Sequence, residues 1–161
     1  MSTEEYNICV DEFADGVYRF LLKNCRDSEL ARDLVQESFM RLWVKRKEVN
    51  FKKGKSYLFS TAYHAMIDHI RKNERVNSLE EQKHQTPLTY DQYSDAKEVL
   101  NRAVELLPEM QRSVVLLRDY EGYSYREIGE ITGLSESQVK VYIYRARLFL
   151  KKYLVNPEFV V

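Results

Sequence analysis

The chain holds 161 residues, 25 of them basic and 25 acidic, so its formal net charge is zero. That length fits one compact domain or two small ones, and 44 % hydrophobic with 31 % charged residues is ordinary for a soluble folded chain. Five Gly and three Pro are too few for a turn-rich β-sandwich or barrel and argue against a disordered chain; zero net charge argues, at first sight, against a nucleic-acid binder.

Two cysteines, Cys9 and Cys25, cannot make a disulfide framework or a zinc site of their own and read as reduced thiols of a cytosolic protein. The acidic start, Met1-Ser2-Thr3-Glu4-Glu5, lacks a signal-peptide core. No apolar run approaches the ~18–20 residues of a membrane span. The expectation is a cytoplasmic protein without membrane insertion.

Taken in chain order, the periodicity predicts helices almost throughout. The first lies around Val10 to Leu22. Asp27 or Ser28 starts the second, with Glu29 favourable at the positive helix end. Its apolar rows, Leu30, Leu34, Leu42 and Ala31, Val35, Phe39, Trp43, form one broad stripe. Ser56 reads as the cap of a third helix running to about Lys72. Val76 to Tyr93 has few periodic apolar positions and reads as a linker. Residues 76–94 span at most ~63–68 Å when extended, nearly two turns of duplex. Ser94 opens a fourth helix through Val99, Leu100, Ala103, Val104 and Leu107. Pro108 fits the first position of a fifth, which Gly122 closes. No alternating strand and no internal repeat appears. The fold class is therefore all-α, with two small helical domains, 1–75 and 95–161, joined by a flexible linker, 76–94.

The strongest local signal is Ser124 to Leu150. Ser124-Tyr125-Arg126-Glu127 is a capping box, S-x-x-E, and Ser135-Glu136-Ser137-Gln138 is another, S-x-x-Q. Between them Gly133 stands where a helix should stop. A short helix, a tight turn and a longer helix make a helix-turn-helix, whose second helix enters the major groove. On that helix Val139, Ile143, Ala146 and Leu150 share a core face. Ser137, Gln138, Val141 and Arg145, flanked by Lys140 and Tyr144, face the other way. Gln suits adenine, Arg suits guanine, and Val can meet a thymine methyl. Arg147, Lys151 and Lys152 read as phosphate or solvent contacts. The bland alternative is a helical hairpin with a solvated basic face.

Lys52 to Arg75 interleaves base with aromatic residues: Phe51, Tyr57, Phe59 and Tyr63. On a helix, Tyr57, Ser60, His64, Asp68, Arg71 and Arg75 line one strip, and Leu58, Ala62, Ala65, Met66 and Ile70 lie opposite. Aromatics stack on exposed bases while lysines track phosphates, which suits single-stranded or melted nucleic acid. The competing reading is a core-packing helix with a solvated edge. His64 and His69 are five apart and share no face, so no metal site is expected. No Gly-rich phosphate loop, H-E-x-x-H or nucleophile elbow occurs, so the sequence predicts no catalytic residue and no cofactor.

Several motifs coincide in the order of one family. Asp33-Leu34-Val35-Gln36-Glu37-Ser38-Phe39-Met40-Arg41-Leu42-Trp43 resembles the D-L-V-Q-E-x-F-x-R-L-W stretch of bacterial sigma factors. Tyr57-Leu58-Phe59, Ala62 and Ile67-Asp68-His69-Ile70-Arg71-Lys72 resemble their W-L-Y-x-x-A and I-D-x-x-R-R stretch. Leu107-Pro108, Gln111-Arg112 and Tyr144-Arg145-Ala146-Arg147 resemble their C-terminal domain. The two-domain length is similar to the extracytoplasmic-function, or group 4, sigma factors.

The resemblance implies a protein that binds core RNA polymerase and directs it to particular promoters. It implies docking on the clamp helices of the largest subunit through Asp33, Gln36, Glu37, Met40, Arg41 and Trp43, and contact with the flap of the second-largest. It implies minus-10 recognition and melting by Asn50, Lys52, Lys53, Tyr57, Ser60, His64, Arg71 and Arg75. Minus-35 recognition falls to Ser137, Gln138, Lys140, Val141, Tyr144 and Arg145. An anti-sigma factor is a further partner of the family. Tyr57 stands where Trp is usual, Ser60 and Tyr63 replace frequent Arg, His64 replaces a frequent Asn, and Gly129 replaces the usual Ala of an E-I-A turn.

Two rival readings are a stand-alone helix-turn-helix regulator and a nucleic-acid-modifying enzyme. The D-L-V-Q-E-x-F helix speaks against the first and the lack of clustered acids against the second. The net charge then reads as a cancellation. Residues 51–75 carry six basic and two acidic groups, and 134–161 five and two, against three acidic segments elsewhere. Such a chain binds free DNA weakly and depends on polymerase for the rest of its affinity.

Overall fold

A computed structural model describes residues 1–77 and 95–155, and all regular structure among them is helical. Most of the expected linker, residues 78–94, and Ser94 as a helix opener lie outside the described residues. The described residues make two helical bodies.

The N-terminal body is α1 (Thr3–Cys25), α2 (Ser28–Lys45) and α3 (Gly54–Asn77). Helix α1 starts seven residues before the expected Val10, because Ser2 and Glu5 close a capping box. Ser2 Oγ accepts from the Glu5 N–H (3.1 Å) and Glu5 Oε1 accepts from the Ser2 N–H (2.8 Å). The helix ends on Arg26, whose left-handed backbone (φ 58°) lets its N–H reach Leu22 O at 2.9 Å. Asp27 caps α2, its Oδ1 accepting from Glu29 N and Leu30 N at 3.1 Å each.

Ser56 is not the cap of α3. Asn50 Oδ1 accepts from Lys52 N (3.0 Å) and starts a 3-10 turn, Phe51–Lys53, that feeds directly into the helix at Gly54. A side chain at Gly54 would meet Cys9 Sγ at 3.0 Å, so the glycine lets α3 begin close against α1. The Met1 ammonium ties the preceding loop by donating to Arg46 O and to Val49 O (3.0 Å).

All three helices pack on one another. Val17, Phe20 and Leu21 of α1, Ala31, Leu34 and Leu42 of α2, and Leu58, Ala62 and Met66 of α3 are buried. Each large side chain so buried contributes about 1.5–3 kcal/mol. Phe59 and Tyr63, expected among the base-stacking aromatics, are also core: they are 1 % and 4 % exposed, and the Phe59 ring lies 5.8 Å from that of Phe20. A helix between two partners buries a face wider than one apolar row, and the aromatic residues fall inside it.

The C-terminal body comprises α4 (Asp95–Leu106), α5 (Glu109–Val115), α6 (Tyr125–Thr132) and α7 (Glu136–Val155). Pro108 sits at the N-cap of α5 rather than at its first turn position, with extended ψ (147°). Helix α5 does not run straight to Gly122. It passes into a π turn, Leu116–Tyr120, and the chain reverses at Gly122 with φ 76°. Helix α7 packs on α4 and α5, with Leu107, Val115 and Ala146 forming a buried cluster that Phe149 and Leu150 partly cover. The Arg112 guanidinium donates to Glu105 O (3.2 Å) at the electronegative end of α4. Among the described residues no helix is long and apolar enough to cross a membrane.

Candidate nucleic-acid and partner interfaces

In the N-terminal body, burying Ala31, Leu34, Ser38 and Leu42 turns the opposite side of α2 outward. Asp33, Glu37, Met40 and Val44 recur at four, three and four residues and therefore share one outward face. Gln36 and Arg41 flank it. Glu37 Oε1 and Arg41 Nη2 pair at 2.5 Å across one turn. Met40 is 67 % exposed and Val44 75 %, so the centre of this polar face is apolar. Val44 was missed in the sequence because it lies outside the four-residue rows of the core stripe; its place at Met40 plus four was the available signal.

Trp43 stands at the edge of the same face, 38 % exposed. Tyr6 meets its ring edge-on at 5.0 Å, and the Arg46 guanidinium lies 3.8 Å over it. Arg46 also donates to Trp43 O (2.8 Å), and Tyr6 donates to Phe39 O (3.0 Å). Burial pushes the Tyr6 hydroxyl upward from its ordinary pKa. Arg46 and Tyr6 thus fix the indole orientation.

On α3 the expected strip is outward but uneven. His64, Arg71 and Arg75 are exposed, as is Asp68 among them, while Tyr57 and Ser60 are half-buried. His64 Nδ1 lies 2.7 Å from Ser60 O. A carbonyl only accepts, so Nδ1 is the donor in this contact. Asn50 is committed to its cap, and Lys52 and Lys53 project from the turn it starts. From Lys53 to Arg75 the helix extends ~33 Å, so its cations stand at both ends of a strip about one duplex turn long.

In the C-terminal body both capping boxes form. Ser124 Oγ accepts from Glu127 N and Glu127 Oε1 from Ser124 N, each at 3.1 Å. Ser135 Oγ accepts from Gln138 N (3.2 Å) and Gln138 Oε1 from Ser135 N (3.0 Å). Gln138 is therefore engaged in starting α7, and the Oε1 that a bidentate adenine contact would use is taken. Gly133 adopts φ 82° and ends α6. Gly129 is placed where a Cβ would lie 2.8 Å from Leu134 O, so this turn is closed more tightly than an alanine permits.

Val139, Ile143 and Ala146 are buried, and Leu150 is only partly so. Ser137, Lys140, Val141, Tyr144 and Arg145 are all exposed, Tyr144 by 68 % and Val141 by 46 %. Arg147, read in the sequence as a phosphate or solvent contact, instead holds Asp119 through two bonds, Nη2–Oδ1 2.6 Å and Nε–Oδ2 3.1 Å. Beside it the Tyr125 ring lies between Arg118 (4.5 Å) and Lys140 (5.7 Å), and Arg118 donates to Tyr123 O (2.8 Å). Asp119 with Arg147 and Tyr125 with Lys140 are 28 and 15 residues apart in sequence and left no local signal.

The Sigma-70 region 2 family profile matches residues 9–76, and the Sigma-70, region 4 profile matches residues 97–150. ECF RNA polymerase sigma factor SigM of Bacillus subtilis is 33 % identical over 147 residues, covering 86 % of this chain and 88 % of that protein. RNA polymerase sigma factor YlaC of the same organism is 30 % identical over 158 residues, covering 91 % and 90 %. The fold is similar to that of the sigma factor RpoE, solved with the anti-sigma factor NepR from Bartonella quintana. That match has a TM-score of 0.84 at 21 % identity and covers 96 % of this chain and 99 % of RpoE. CnrH, solved with the cytosolic domain of CnrY, matches with a TM-score of 0.68 at 19 % identity, covering 92 % and 86 %.

Proposed function

The chain belongs to the extracytoplasmic-function sigma factors of RNA polymerase, and on that premise we propose which of its faces carry out transcription initiation. Residues 1–75 dock on core polymerase and read the minus-10 element, and residues 95–161 read the minus-35 element, with 76–94 linking the two. The work is done in the cytoplasm.

Docking on the clamp helices of the largest subunit uses Asp33, Gln36, Glu37, Met40, Arg41 and Trp43, to which Val44 is now added. The observation that carries this reading is the α2 face opposite the core, where Met40 and Val44 stand exposed between charged neighbours. Apolar centres ringed by polar groups are what partner surfaces present. Lys52, Lys53, Arg71 and Arg75 supply phosphate contacts along α3, and Tyr57, Ser60 and His64 lie between them to meet melted bases. Asn50 acts by shaping the lysine turn.

In the C-terminal body Ser137, Lys140, Val141, Tyr144 and Arg145 enter the major groove at the minus-35 element, while Gln138 holds the start of the reading helix. The same chain offers the C-terminal body to the flap of the second-largest subunit. An anti-sigma factor is a fitting regulator, as the structural neighbour RpoE was solved with one.

The test is co-purification with core polymerase. Asp33→Arg together with Glu37→Arg is expected to abolish it while circular dichroism stays unchanged, because both side chains lie on the outward face. Undiminished co-purification would reject the docking face. Run-off transcription with core polymerase over a promoter library would then give the sequences read.

A further inference from the structure

The flank of α7 beside its exposed reading face carries a feature that apolar packing does not explain. Between the π turn at Leu116–Tyr120 and the start of α6 at Tyr125, the chain reverses through Gly122. This segment is attached to α7 at two points. Asp119 grips Arg147 with both carboxylate oxygens, and Tyr125 lies under Lys140. Lys140 and Arg147 are seven residues apart, about 10 Å along the helix axis. Two attachments at that separation fix both the tilt and the rotation of a helix. The apolar contacts of Val139, Ile143 and Ala146 are non-directional and leave rotation softer.

We propose that Asp119 and Arg147 form a strut that sets the pitch of α7, so that Arg147 is a positioning residue and not a phosphate contact. Both its Nε and its Nη2 are engaged on the carboxylate, which is the two-point geometry that only a guanidinium provides. Lys140, Tyr144 and Arg147 lie on one stripe of α7, so a shift at Arg147 is transmitted to the reading positions through a single rigid helix. This inference rests on the reading that α7 recognises the minus-35 element.

The experiment uses holoenzyme assembled from the full chain and core polymerase. The probe is a pool of promoter fragments randomised at the upstream element, followed by the selected and a scrambled fragment. Asp119→Ala and Arg147→Ala are each expected to reduce discrimination between the two fragments by up to about fivefold, the scale of an exposed ion pair. The double variant should lose no more than either single one, and the dependence of binding on salt should keep its slope. Arg147→Lys should fall with the alanine variant, and the swap Asp119→Arg with Arg147→Asp should recover part of the loss.

The strut is overturned if Asp119→Ala tightens binding, if Arg147→Ala flattens the salt slope while Arg147→Lys retains it, or if the two losses add. The first two outcomes would make Arg147 a phosphate contact that Asp119 masks. Arg145→Ala serves as the control. If it loses discrimination and the strut variants do not, the strut falls and upstream reading stands. If the unmodified chain selects no upstream sequence at all, both fall together.

Discussion

The two bodies hold their exposed polar faces in place by different means. The N-terminal body rests on helices of 23, 18 and 24 residues, whereas three of the four in the C-terminal body have 12, 7 and 8 residues. Long helices bury many side chains, so packing carries most of their hold and caps add to it. Helices of two turns are far below the length that is stable in isolation, so caps and backbone conformation must add to the packing of buried residues such as Val114, Ile128 and Ile131. The contrast teaches where each body is vulnerable: the first in its apolar core, the second in its turns.

The largest expected effect lies in the first core. Phe20→Ala removes a ring that is 1 % exposed and packs on Phe59, and should cost about 3–5 kcal/mol. Urea denaturation with amide exchange read separately for each body should localise that loss to residues 1–77. A loss spread equally over both bodies would break the comparison. Gly129→Ala comes next. Its methyl would meet Leu134 O at 2.8 Å, a backbone atom, so the turn must open, at about 1–3 kcal/mol in the C-terminal body alone. Unchanged exchange protection in α6 and α7 would show that the tight turn is not needed there.

Arg145→Ala touches neither packing nor turns. It is expected to cost about 1–3 kcal/mol in discrimination at one promoter position without moving the thermal midpoint. A uniform loss across promoters in binding assays would make Arg145 a phosphate contact. The smallest effects sharpen the comparison most. Ser124→Ala removes the cap of an eight-residue helix and should cost about 1 kcal/mol of C-terminal stability. Ser2→Ala removes the same device from a 23-residue helix and should only fray its first turn. Exchange rates in the two first turns, measured side by side, would reveal any equality that contradicts this.

What could be read from the sequence follows the same divide. The boxes at Ser124 and Ser135 and the stop at Gly133 were legible because their partners are three or four residues away. The box at Ser2-Glu5 is equally local, and with Cys9 buried soon after it the signal for an earlier start was available too. The burial of Phe59 and Tyr63 was not legible, since it depends on α3 lying against two neighbours at once. Asp119 and Arg147 meet across 28 residues, and nothing in either neighbourhood announces the other. The family resemblance rested on motifs such as Asp33 to Trp43, which mix core and surface positions. It therefore points to α2 as the proposed docking helix, while Val44, just beyond the motif, carries no family signal.

The stacking around Trp43 has a practical consequence. It is the only tryptophan of the chain, and it stands at the edge of the proposed docking face under Arg46. Its fluorescence therefore reports on that one place without any label. A partner that displaces the guanidinium or dries the indole changes the emission colour and quenching of the whole protein. The chain thus carries its own optical gauge for partners that bind this face, readable in titrations against tryptophan-free fragments of a partner.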